Sequence, residues 1–449
     1  MKFKKFGKAL LMTAISAGVV FGVTSCVQSY TVGYLYVTGT QTAGTTGQGI
    51  ISGFKIDHNT GNLTPIAGLP ISSGGSNPVR AVLLTGGRFV YVLNQGSTSD
   101  GAPCSPTDVC SNANITQFSI GGNGVLAPQA TYYTQGHNPI RLFADSTGAH
   151  MFVLDHDAPN AASCTLVFPA ATACGDITAF SVDATTGRLS YILNSQVTAA
   201  SGQPLSYFPV PADPIDFTLS SNYFVILSGT PATGDSAFPY TYNPTSGQLT
   251  VNQNSSQPLG VVSGGSCTGV CNGTTIVLAG GVTYVLDDGL NTNDPPTNGQ
   301  IFAYTLGTNG ALQAEANGYY PDNSAYSYPN YVLAANNGKW LYVLNQGDNA
   351  NTSLPQSGIA AFEIVNPYQL QPIANGGQIG GTGAGPQCIL EDPSNQFVYT
   401  ANFNSSSVTG LSIDENDGNL VPLSQATKAK DSYSVPGPAT WCVVTGHTS

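Results

Sequence analysis

The sequence predicts an all-β chain folded as a seven-bladed β-propeller with four-stranded blades, its ring closed by the N-terminal strand completing the last blade. Three observations predict it. One template recurs along the chain, each copy alternates apolar and polar residues over short runs, and no segment beyond the leader sustains a helical period.

The template is an extended segment ending F-x-I/V-D, a T-G-x-L turn, a loop, Asn-Pro or Gly-Pro, an apolar strand, a Gly turn and Y-V-L-N. The first copy runs from residues 51–57 through Asn77-Pro78 to 89–94, and the second from 115–118 through Asn138-Pro139 to 151–155. The third starts at 177–183 and reaches Asp213-Pro214 and 224–227. The fourth spans 238–242 to 284–287 and has lost the Pro. The fifth and sixth run from 301–304 to 341–345 and from 359–362 to 397–400. The seventh is split: 408–414 and 417–420 supply its outer half and 437–442 begin an inner strand, while the missing Y-V-L-N strand stands at the other end, at 34–38. Such a strand would bury edges that an open ring leaves unpaired. The T-G-x-L and D-G-N-L steps place Gly where a turn needs positive φ.

Three segments are expected: 1–25 as a signal peptide, 26–32 as a linker and 33–446 as the propeller. Four Lys stand in the first eight residues, an apolar run follows at 9–23, and small residues lead to Cys26. This is the pattern of an export leader, too short for a membrane span. Val23-Thr24-Ser25-Cys26 resembles the bacterial lipobox, which implies a lipid on Cys26 and an exported protein anchored in the cell envelope, on the outer membrane or a periplasmic or surface face. The lipid would be its sole membrane contact.

Beyond the leader eight bases face 24 acids, a formal charge of −16, so a nucleic-acid partner is excluded. The other eight Cys fall as Cys104/Cys110, Cys164/Cys174, Cys267/Cys271 and the distant Cys388/Cys442. In an exported chain these read as disulfides rather than a zinc site, because no pair has a second ligand pair nearby.

The repeats resemble the lactonase-type seven-bladed propeller family, which includes 6-phosphogluconolactonase. The resemblance rests on Gly86-Gly87-Arg88-Phe89-Val90-Tyr91-Val92 and Asp183-Ala184-Thr185-Thr186-Gly187-Arg188-Leu189 and covers the mature chain. It implies lactone chemistry without a metal, from Arg, His and Glu groups at the channel mouth. Here the residues directly after Pro are Val79, Ile140, Ile215, Asn330, Gln387 and Ala439, where the family commonly has Arg.

The strand after Pro is innermost in such blades. Its second residue is Arg80, Arg141, Asp216, Tyr331 and Cys388 in five copies, with Thr440 in the seventh. Arg80, Arg141, Asp216 and Tyr331 are therefore the candidate ligand-binding residues. Two guanidiniums on one rim suit a carboxylate or phosphate. The alternative is that Arg141 and Asp216 pair across neighbouring blades. His137 is the candidate acid/base. Oxygen-rich segments at Asp155-His156-Asp157 and at Asp287, Asp288, Asn291, Asn293 and Asp294 have a calcium reading, against plain turn chemistry. Asp414, Asn416 and Asp417 align with the blade turn at Asp57.

Two functions follow: a lactonase-like hydrolase of a small anionic, sugar-acid lactone, or a non-catalytic surface propeller binding a carbohydrate, peptide or envelope protein. No cofactor, metal or oligomeric state is assigned.

Overall fold

A computed structural model describes residues 30–41, 47–98, 112–230, 234–251, 256–259, 272–288, 299–322, 325–347, 357–366, 369–373, 378–379 and 381–446. The leader with Cys26, and Cys104, Cys110, Cys267, Cys271, Asn291, Asn293 and Asp294, lie outside the described residues.

Seven antiparallel sheets follow one another around the ring. In the first blade the strands run outward as Pro78–Leu83, Phe89–Asn94, Asn114–Ile120 and Leu126–Tyr132. Five more blades repeat that order along the chain, four of them with the outermost strand split into two short pieces that pair with the same neighbour. The seventh joins the two ends of the chain. Its innermost strand is Ala439–Gly446, and the N-terminal strand Thr31–Thr40 pairs with it from Gly33↔Gly446 to Thr38↔Trp441.

The closure expected from the sequence is therefore present, with more of the N-terminus in it. Gln48–Asp57, Leu63–Pro65 and Ile71–Ser76 also belong to the closing blade. Ser407–Ile413 and Leu420–Pro422, read from the repeat as its outer half, instead complete the sixth blade behind Phe397–Asn402. The repeat template straddles two blades, because it begins at the third strand of one and ends at the second strand of the next.

Burial also departs from simple alternation in one layer. The second strands Phe89–Asn94, Val282–Asp287, Trp340–Asn345 and Phe397–Asn402 are buried at every position. Blades stack face to face, so these strands are covered on both sides, and continuous apolar runs replace the period of two. Each buried Val or Leu there contributes roughly 1.5–3 kcal/mol.

The recurring Tyr and Gly of the template act on one another across blades. The Tyr36 hydroxyl donates to the Gly124 carbonyl at 2.7 Å, Tyr342 to Gly418 at 2.9 Å and Tyr399 to Gly61 at 2.7 Å, and Tyr91 donates to the Gly187 carbonyl. Each link joins a second strand to the turn of the following blade. Gly61 has φ +68°, and a Cβ there would stand 2.7 Å from the Phe397 ring, so both the turn and the approach of the neighbouring blade require glycine. Asp57 closes the same turn by accepting from the Thr60 N–H at 2.9 Å and hydroxyl at 2.7 Å. Asp414 likewise accepts from Asn416, which settles that segment as a blade turn.

Candidate functional site

The inner strands all begin with the same bulge. Pro78 pairs with Asn94 and Arg80 with Leu93, so Val79 is squeezed out of the ladder and Arg80 turns toward the axis. The same step occurs at Pro139/Arg141, Pro214/Asp216, Gly273/Thr275, Pro329/Tyr331 and Pro386/Cys388. In the closing blade it falls at Ala439/Trp441. The equivalent residue there is thus Trp441, not Thr440, because the ladder is set one residue further from Pro438. Thr440 is the bulged residue, its hydroxyl 3.0 Å from that of Thr38. The fourth blade, which lacks the Pro, contributes Thr275.

One ring of side chains results: Arg80, Arg141, Asp216, Thr275, Tyr331, Cys388 and Trp441. Arg141 Nε donates to Asp216 Oδ1 at 2.8 Å, and both groups are buried. The Thr275 hydroxyl donates to Asp216 Oδ2 at 2.5 Å, with the Phe217 and Ile276 N–H groups at 2.8 and 3.2 Å on the same carboxylate. Asp216 is saturated and neutralises one guanidinium only.

Arg80 is the other. Its guanidinium carbon lies 4.0 Å from the centroid of the Trp441 ring, and that of Arg141 lies 5.6 Å from the same ring. Trp441 packs edge-on against Tyr331 with centroids 5.0 Å apart. Among the described residues Arg80 makes no ion pair; it donates to the Val79 carbonyl at 2.9 Å, and its Nε is buried with no partner. Burial first, then the Arg141 charge, lowers its pKa to about 9, which leaves it cationic at neutral pH. Aromatic faces attract the cation without supplying a counter-charge.

This ring floors a cavity of about 860 Å³. Two residues further along each inner strand, Val82, Phe143, Val277, Leu333, Leu390 and Val443 form its wall. Gly280, Asn336 and Gly338, in the turns between first and second strands, stand at its rim. Among the described residues lining it, Arg80 and Arg141 are the charged side chains, and no acid is present.

His137 is not part of this cluster. It is exposed at the start of His137–Ala144 and pairs in register with Asp157. Four residues at strand rise separate it from Arg141, roughly 13 Å along the strand. It belongs to the opposite mouth. There a shallower cleft of about 670 Å³ lies against the loop closed by the Cys164–Cys174 disulfide. It is lined by His156, Asp157 and Asp213; His156 Nδ1 lies 2.9 Å from Asp157 Oδ1, and Nε2 lies 3.9 Å from Asp213. The sequence marks Asp155-His156-Asp157 as an oxygen-rich loop, whereas the structure places all three in the strand His150–Asp157.

Asp155 faces Asp176 directly across the ladder, and both are fully buried. One oxygen of each has no hydrogen-bond partner. The corresponding pair in the first blade is Asn94 and Asn114, joined by a 3.0 Å hydrogen bond. Burial raises the pKa of both Asp155 and Asp176, the Asp155 charge further raises Asp176 and the Asp157 charge raises both, so the folded state binds protons that the unfolded chain releases. Stability from this pair is present at low pH and declines as pH rises above the ordinary aspartate range. Asp176→Asn should therefore stabilise the protein by roughly 1–3 kcal/mol at pH 8, the cost of an unsatisfied buried acceptor, and by less at pH 5. Urea denaturation at the two pH values checks it; an equal effect at both would show that the pair does not titrate there. Asp288 accepts twice from the Asn272 amide, at 2.9 and 2.8 Å. Among the described residues no group of three or more His, Cys, Asp or Glu is arranged to hold a metal.

The second disulfide joins Cys388 to Cys442 in the inner strands of the sixth and closing blades, the distant pair expected from the sequence.

Fold and channel together define a seven-bladed β-propeller with an arginine-bearing central cavity. Residues 294–440 match the family model for "Lactonase, 7-bladed beta-propeller", in agreement with the resemblance carried by the repeats. No curated protein sequence matches the chain. Among solved structures, the periplasmic gluconolactonase of Pseudomonas aeruginosa superposes with a TM-score of 0.61 at 18% identity, over 92% of this chain and 99% of that one. A candidate 6-phosphogluconolactonase from Bacteroides fragilis gives 0.61 at 16% identity, over 92% and 98%. A Lactobacillus plantarum protein gives 0.58 at 16%, over 92% and 99%. These identities establish a shared fold.

Proposed function

We propose that this protein is a cell-envelope propeller, lipid-anchored through Cys26, that binds a small organic anion in its central channel on Arg80 and Arg141. The observation that carries the reading is the imbalance of charge in the ring: two buried or half-buried guanidiniums against one carboxylate, an Arg80 with no ion pair among the described residues, and a cavity lined by both arginines and by no described acid. A ligand carboxylate or phosphate supplies the missing partner. Tyr331 and Trp441 would pack against it. Fractionation of wild type against Cys26→Ser is the check on the anchor.

Calorimetry with gluconate, 6-phosphogluconate and simple carboxylates on the purified protein tests the channel. Arg80→Ala should weaken anion binding by about 1.5–3 kcal/mol, the range for a charged hydrogen bond. Identical affinities in wild type and Arg80→Ala would reject the subsite.

Lactone hydrolysis is the second reading, favoured by the family match and by one piece of geometry at the opposite mouth. Asp157 orients His156 there beside an open cleft, the arrangement a general base requires, with His137 exposed nearby. In the central channel, by contrast, Asp216 is already saturated. A lactone panel comparing wild type with His156→Gln separates the two readings.

A further inference from the structure

The channel wall is apolar, and that constrains what the anion can be. The six wall residues are partly exposed, so their surface is turned to open space rather than packed away. Thr218 is the polar residue at that level, and it is buried, its hydroxyl accepting from the Leu278 N–H at 2.9 Å. A polyhydroxylated sugar acid seated on Arg80 would therefore place most of its hydroxyls against Val82, Phe143, Leu333 and Leu390, where nothing pairs with them. Burying unpaired hydroxyls is costly, whereas methylenes placed there gain from leaving water.

The cavity is also charged at one end and apolar above it. Its floor is the ring of Arg80, Arg141, Tyr331 and Trp441, and its rim is formed by the turns between first and second strands. Its volume falls within the usual range for small-molecule pockets, which are mostly apolar with a few placed polar groups. Charge at the bottom and apolar wall above it specify a ligand with one anionic end and one apolar end.

We propose that the central channel is a binding site for amphiphilic carboxylates, entered tail-last from the face of the first-to-second-strand turns, with the carboxylate on Arg80 and the alkyl or aryl body against the apolar wall. This rests on the anion-binding reading above and names the ligand class of that site. The head-group exchange is an ion pair with no bond made or broken. Selectivity comes from the wall.

A chain-length series tests it. The full chain carrying Cys26→Ser is titrated in detergent-free buffer with butyrate, hexanoate, octanoate and decanoate, and with gluconate. Affinity should rise roughly threefold to fourfold per added methylene, the transfer free energy of a buried CH₂, and decanoate should displace gluconate. Arg80→Gln should weaken every carboxylate at least tenfold. Leu333→Asn should weaken decanoate more than butyrate, and since Leu333 is only partly buried this variant tests the wall even where Arg80→Gln proves poorly folded. Gluconate binding with a flat chain-length series would overturn the amphiphile proposal and leave the anion subsite standing. Binding of neither class would overturn both.

Discussion

Asp216→Ala should cost the fold roughly 3–5 kcal/mol, the penalty for stripping one partner from a buried ion pair. The carboxylate is 3% exposed and accepts from Arg141 Nε, the Thr275 hydroxyl and two backbone N–H groups, so it ties the second, third and fourth blades at the channel. Its loss leaves Arg141 charged, buried and facing Arg80 across the Trp441 ring. The comparison that isolates the electrostatic part is Asp216→Leu with Arg141→Leu, which should recover most of the loss, because two apolar side chains of similar bulk leave no orphaned charge. Urea denaturation of the three variants measures it. A loss below about 1 kcal/mol in Asp216→Ala would mean that Arg141 finds another partner and that the pair does not organise the ring. Added carboxylate ligand should protect this variant more than wild type, since two guanidiniums would then lack an acid.

The second large effect concerns closure. Replacing both Cys388 and Cys442 by Ser should lower stability by roughly 2–4 kcal/mol, as is usual when a native cross-link is removed. The bond joins strands 54 residues apart in sequence, Pro386–Glu391 and Ala439–Gly446. The second of these holds the N-terminal strand Thr31–Thr40 in the ring, so loosening it frees the one blade assembled from both chain ends. Substituting both residues avoids leaving a reactive thiol, and the wild type under reducing conditions provides an independent comparison. If reduced wild type and the double variant unfold at the same denaturant concentration as oxidised wild type, strand pairing alone secures the closure.

Local chemistry encodes the elements of this fold and their order. The strands and turns are legible because alternating or continuous apolar runs, T-G-x-L turns and Pro-led inner strands each declare themselves within about ten residues. Repetition of those elements then implies the ring, and an unpaired half-template at each end implies its closure. Pairing of Cys388 with Cys442 is legible because both stand on the Pro-led inner strands of neighbouring copies, two and four residues past Pro386 and Pro438.

Tertiary structure decided what depends on pairing between strands rather than within them. The template carries no mark of where one sheet ends, so it straddles two blades and assigns Ser407–Ile413 to the closing blade, whereas its ladder with Phe397–Asn402 places it in the sixth. Register in the closing blade follows its ladder with Thr31–Thr40, and that ladder, not the count from Pro438, puts Trp441 on the axis. The partition of the two arginines is likewise a matter of reach around the ring. Asp216 lies beside Arg141, and Trp441 lies beside Arg80, so one cation is neutralised and the other is left for a ligand. Spacing along the chain places both at the same level, but only side-chain geometry across the channel determines which of them finds the acid.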